Sequence, residues 1–150
     1  MADYEYQRPP EEGDYTYQPL EEKDSIRLLR VHPAKTFDAP LVCDLRTTKL
    51  SDKQDYAALS YTWGPLVFDR QMLLNGRPFY TTSNLSHALH LFRATGWQMI
   101  WVDAICINQA DLVEKSRQIL LLRPIFSQAL CVFVCLGISG PDGHSAMQLM

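Results

Sequence analysis

Residues 99–107, Met99-Ile100-Trp101-Val102-Asp103-Ala104-Ile105-Cys106-Ile107, decide the fold. The run is apolar but for Asp103, without the polar alternation of a half-solvated strand, so it reads as a buried strand. Working outward, residues 84–95 carry Leu85, Ala88, Leu89 and Phe92 at helical spacing. Ser83 or Asn84 would cap that helix and Gly96 would stop it. On the other side, residues 111–129 read as a second helix with Leu112, Ile119, Leu122, Phe126 and Ala129 on its inner face. Pro124 should kink it, because proline lacks the amide hydrogen and crowds the carbonyl of Leu120. Residues 131–136 form another apolar strand, and 56–62 an earlier one ended by Gly64 and Pro65. Apolar strands alternating with helices predict an α/β domain with a parallel sheet covered on both faces.

Upstream, residues 26–32 and 41–46 read as strands separated by a proline-bearing loop. Residues 71–74 and 78–81 flank Asn75-Gly76, a pair suited to the positive φ angles of a two-residue hairpin turn. These additional N-terminal strands and the hairpin are expected at an edge or in a side sheet. Residues 142–150 look like the start of a further helix.

The composition, 47% hydrophobic and 21% charged, is that of a globular protein and fits one domain. Charge is unevenly spread. Residues 1–24 carry a net of −6 and the rest a net of +3. The first segment lacks apolar periodicity and is expected to be a disordered acidic tail, pinned at its end by Tyr15, Tyr17 and Leu20. The domain proper is then 25–150. Scattered basic residues argue against nucleic acid as a partner. The longest apolar stretch, 129–138, is half the roughly 20 residues of a membrane-spanning helix, and no signal peptide opens the chain. Cys43, Cys106, Cys131 and Cys135 have no CxxC spacing and lie in apolar runs, which suits buried free thiols in a reducing cytoplasm. His87 and His90 share a helix face but lack a third ligand, so no metal and no cofactor is expected.

Several residues suit either chemistry or architecture. Asp103, an acid among apolar residues, would bind ligand at the C-terminal edge of the sheet, or cap a loop or pair with an arginine. Glu114 stands three residues after Asp111, the spacing of a reciprocal helix cap; with a raised pKa it would serve as a general acid or base. Ser60, Tyr61 and Trp63 leave a strand for a loop. The two rings would stack on a planar ligand or fill the core beneath that loop. Asn108 and Gln109 would contact ligand or satisfy loop backbone groups. Tyr61, Trp63, Asp103 and Glu114 are expected to converge in one cleft.

Four stretches resemble the heterokaryon incompatibility (HET) domain of filamentous fungi. They are Tyr56-Ala57-Ala58-Leu59-Ser60-Tyr61-Thr62-Trp63-Gly64, the helix with Asn84-Leu85 and Ala88-Leu89, Trp101-Val102-Asp103-Ala104-Ile105-Cys106-Ile107-Asn108-Gln109, and Glu114-Lys115 with Gln118, Ala129 and Leu136-Gly137. Their core spans 56–137. Pro65, Phe126 and Cys135 depart from the pattern, and family members usually continue much further, so the domain is read as cut short at its C-terminus. The resemblance implies a flavodoxin-like or TIR-like layout and a role in self/non-self recognition and cell death. It implies protein partners or self-association. The alternative it carries is TIR-like hydrolysis of NAD or another nucleotide, with Glu114 and Asp103 as the catalytic candidates. Some TIR domains use a glutamate after the third strand, and this sequence has none after Glu114.

Overall fold

The computed structural model describes residues 11–136 and 147–149. In chain order the elements are β1 (Ser25–Val31), β2 (Val42–Lys49), β3 (Ala57–Tyr61), β4 (Arg70–Leu74), β5 (Arg77–Thr81), α1 (Ser83–Ala94), β6 (Met99–Trp101), α2 (Asp103–Cys106), α3 (Leu112–Leu120), α4 (Leu122–Gln128), β7 (Cys131–Cys135) and β8 (Met147–Leu149). The strands make one sheet in the order β5-β4-β2-β1-β6-β3-β7-β8. The first strands are therefore not a separate layer. They build the edge half of the same sheet, joined to the rest where β1 runs antiparallel to β6.

The expected parallel trio is present. β3 lies between β6 and β7 and is parallel to both. Counting these three alone, the order is second, first, third. Right-handed crossovers leaving β3 one way and returning the other put their helices on opposite faces. The registers pair Leu59 with Phe133 and Ala58 with Trp101, so the two rings stand on opposite sides of the sheet. Phe133 meets Phe92 of α1, ring centroids 5.5 Å apart, and Trp101 meets Phe126 of α4 at 5.6 Å. One apolar cluster spans the sheet, from Leu28, Leu29 and Val31 through Ala57 and Leu59 to Ile100 and Ile105.

Local chemistry explains most boundaries. The β4–β5 hairpin turns at Asn75 (φ 51°) and Gly76 (φ 77°), as its sequence predicts. α1 ends at Gly96, which has φ 87° and donates its amide to the Arg93 carbonyl. Its cap is Thr82 rather than Ser83 or Asn84: the Thr82 hydroxyl accepts the Leu85 N–H at 3.2 Å. Cys43, Cys106 and Cys135 are buried free thiols and Cys131 is half-buried. Burial pushes the Cys43 and Cys106 thiols up to about 12, so both stay protonated and unreactive.

Four further expectations need correction. The strand expected over 99–107 ends at Trp101. Val102 then accepts the amides of Ile105 and Cys106, and the chain winds into α2. Ile105, Cys106 and Ile107 are buried in that turn too, which is why their apolar run looked like a longer strand. The helix expected over 111–129 is two helices broken at Leu121. Pro124 falls in the first turn of α4, where a missing amide hydrogen leaves no intrahelical bond unmade. The inner face of α3 is also not the expected one: Leu112 is 73% and Ile119 51% exposed, whereas Glu114 and Gln118 are buried. Finally, residues 147–149 pair antiparallel with β7 instead of starting a helix; the remaining residues of that expected helix, and 1–10 of the expected tail, lie outside the described residues.

Gly64 lies early in the connection between β3 and β4. Its φ of 67° is left-handed, and an added Cβ would collide with the Asn84 side chain, whose amide donates to the Thr62 carbonyl at 2.9 Å. Gly64→Ala is expected to cost about 1–3 kcal/mol, measured by urea unfolding. Placing it on an Asn84→Ala background should recover the steric part and leave about 1 kcal/mol from the backbone. Equal costs in both backgrounds would refute the collision.

Candidate functional site

The parallel strands β3 and β6 run in one direction and stop at Tyr61 and Trp101. Open α/β sheets place their clefts beyond such carboxyl ends, where the loops diverge. A cleft of about 320 Å³ lies here. Trp63 and Phe68 reach it from the β3–β4 connection, and Pro78, Phe79 and Tyr80 from β5. Ala104 comes from α2, Asn108, Gln109 and Ala110 from the next loop, and Lys115 from α3. Asp14, Tyr15 and Tyr17 close the remaining side.

Its walls are aromatic. Tyr15, Tyr17 and Phe79 meet edge to face, with centroids 5.2–6.3 Å apart. Tyr17 is fixed further by its hydroxyl, which donates to the Ile105 carbonyl at 2.6 Å. The tyrosines read as pins for the N-terminal segment thus form one wall. Trp63 lines the cleft and lies parallel to Tyr61, 6.1 Å between centroids and 9° between planes. The Trp63 indole and the Ala104 N–H lie beside the Asp103 carboxylate and favour its charged form. Burial raises the Asp103 carboxyl above the usual aspartate value against the pull of these donors and of Lys115. Burial, then the Asp103 charge, likewise raises the Tyr61 phenol.

The structure therefore groups Tyr61, Trp63 and Asp103, but of the four residues expected in one cleft Trp63 alone lines it, and Glu114 lies outside the group. Glu114 is buried one layer below the cleft, in a bidentate pair with Arg27. Arg27 Nη2 donates to Oε1 at 2.5 Å and Nη1 to Oε2 at 3.0 Å. The Asn108 N–H donates to Oε2 at 2.6 Å. The expected reciprocal cap is only half formed: Asp111 Oδ1 accepts the Glu114 N–H at 3.1 Å, but the Glu114 carboxylate serves Asn108, and the Asp111 N–H donates to the Asn108 carbonyl. Asn108 and Gln109 line the cleft while also holding the loop. Asn108 Oδ1 accepts from Ala110 N, and Gln109 Nε2 donates to the Asp103 carbonyl at 2.9 Å. Ser60 is exposed and not among the lining residues. His90 Nδ1 is 2.7 Å from the Ser86 carbonyl, and His87 meets the Phe37 ring.

Arg27 went unnoticed in the sequence. The signal was there: a charge between Ile26 and Leu28 in an apolar strand poses the same problem as Asp103 among its neighbours. Arg27 is 2% exposed and has four partners. Besides Glu114 it donates to the Cys106 and Gln18 carbonyls, and its guanidinium sits 4.8 Å over the Tyr17 ring. Lys115 and Phe79 were missed because only the fold brings them to the cleft.

Two outcomes follow. Glu114→Gln should lose about 3–5 kcal/mol in urea unfolding, because it strands a buried guanidinium, while Arg27→Met with Glu114→Leu should regain most of that loss. A double variant as unstable as the single one would contradict this. For Asp103 the folded pKa lies above the unfolded one, so the folded chain holds the proton longer and stability falls as pH rises through that interval, from about pH 4 upward. Asp103→Asn is expected to flatten this part of the stability–pH curve; an unchanged slope would mean that Asp103 does not cause it.

Comparisons with known proteins identify the family. The family profile described as heterokaryon incompatibility protein (HET) matches residues 56–150. Heterokaryon incompatibility protein 6, OR allele, of Neurospora crassa is 35% identical over 139 residues, covering 83% of this chain. The chain spans about a fifth (20%) of the length of that relative. No solved structure matches it. Among the described residues no helix is long and apolar enough to cross a membrane. The chain belongs to the heterokaryon incompatibility (HET) family.

Proposed function

We propose that this chain is a signalling domain of fungal self/non-self recognition, acting in the cytoplasm as an interaction module that commits the cell to death. The observation that carries this reading is the fate of Glu114. Both of its oxygens are held by Arg27, and one also by the Asn108 amide. An acid so committed, buried and outside the lining of the cleft, is poorly placed to exchange a proton with a substrate there. The cleft above it offers flat aromatic walls and side-chain amides, which suit recognition more than hydrolysis.

The alternative, TIR-like hydrolysis of NAD or another nucleotide, draws on one observation. Asp103, with its raised pKa, sits beside Tyr61 and Trp63 at the carboxyl edge of the strands. Asp103 is not among the residues that line the cleft, which counts against contact with a substrate held there. Glu114→Gln does not separate the two readings, because it disturbs the fold first.

Two measurements do. Induced expression of the chain in fungal hyphae is expected to reduce viability, and Trp63→Ala to weaken that effect about tenfold or more, as loss of one well-packed aromatic contact would. Hyphae unaffected by the wild-type chain would sink the signalling reading. The purified chain incubated with NAD is expected to release no base; release abolished by Asp103→Asn would favour the hydrolase instead.

A further inference from the structure

α3 is inside out. Its polar residues Glu114 and Gln118 face the core, where Glu114 meets Arg27 and the Gln118 amide donates to the Ser25 carbonyl at 2.9 Å. Helical geometry then forces the apolar residues outward. Leu112 is 73%, Val113 64%, Ile119 51% and Leu120 80% exposed. They lie on one stripe with Ser116 near its middle, since positions three and four apart share a face. An isolated exposed leucine needs no explanation, but four large aliphatic side chains on three turns of one helix do. The charges around them are one-sided. Across α3 and α4 the exposed acid is Asp111, whose Oδ1 caps Glu114, against exposed Lys115, Arg117 and Arg123.

We propose that this face of α3 docks an acidic amphipathic helix of a partner protein, which rests on the reading of the chain as an interaction module. Leucine-type side chains of the partner would pack along the stripe, and its flanking carboxylates would meet Arg117 and Arg123. The charge pattern favours this occupant over a second copy. An antiparallel α3 pair centred on Ser116 would bring the Lys115 side chains of the two copies together near the symmetry axis, and like charges there oppose association.

The test uses the whole chain and a synthetic three-heptad peptide with leucine at the core positions and glutamate at the flanks, titrated by fluorescence anisotropy. The expected result is saturable binding, weakened about tenfold or more when lysine replaces the peptide's glutamates. Leu112→Ser with Leu120→Ser should abolish binding, and Arg117→Gln should reduce the preference for glutamate. Circular dichroism melting of these surface variants is expected to match wild type, so lost binding is not lost folding. Equal binding of the glutamate and lysine peptides, or undiminished binding by the double leucine variant, would overturn the proposal. So would a concentration-dependent dimer, or adsorption to phosphatidylserine vesicles, that the leucine changes abolish, because a second copy or a lipid surface would then be the occupant. Hyphal killing by the wild-type chain is read separately, so a failure of this surface and a failure of the signalling role give different results.

Discussion

The pairing of Arg27 with Glu114 is the constraint on which the rest of the molecule depends. Two opposite charges are taken out of water, which is tolerable only when nearly every polar hydrogen and lone pair finds a partner. Here the partners come from four places in the chain. The guanidinium holds the carbonyls of Gln18 and Cys106, and the carboxylate holds the Asn108 amide. The N-terminal segment, β1, the loop after α2 and the start of α3 are thus fixed to one another by a single pair. The pair also sets the rotation of α3. Once Glu114 points inward, Gln118 one turn later must follow, and the leucines on the other side have nowhere to go but out.

The motifs that mark the family are far apart in sequence, yet they touch one another. Gly64 of the first lies against Asn84 of the second, whose amide holds the Thr62 carbonyl. Trp63 of the first lies beside Asp103 of the third. Asn108 of the third bonds to Glu114 of the fourth. What the sequence presents as four separate signatures is one chain of contacts around the carboxyl ends of β3 and β6. The cleft is the space that this chain of contacts leaves open.

Much of this was legible beforehand where the signal is local. The parallel trio follows from apolar runs alternating with helical periods, and the hairpin from Asn75-Gly76. Gly96 announces the end of α1. The failures share a cause: they occur where polar residues are buried. Periodicity placed Leu112 and Ile119 inside α3 because it counts apolar residues and cannot know that Arg27, eighty-odd residues earlier, claims Glu114. Apolar continuity ran β6 through Asp103 because a buried helical turn and a buried strand look alike over a few residues. At the site, the grouping of Tyr61, Trp63 and Asp103 could be foreseen from strand ends. The aromatic wall of Tyr15, Tyr17 and Phe79 could not, because it forms only when the N-terminal segment lies back over the hairpin.

The position of β1 has a consequence for where this domain can be cut. The family profile begins at residue 56, after both N-terminal strands. β1 is nonetheless an interior strand, bonded to β2 on one side and β6 on the other. A polypeptide starting at residue 56 would keep every signature motif and lose the piece that joins the two halves of its sheet. It would bare the edge of β6, an invitation to aggregate, and leave the β4–β5 hairpin without a neighbour. The stretch that identifies the family is therefore shorter than the stretch that completes the sheet.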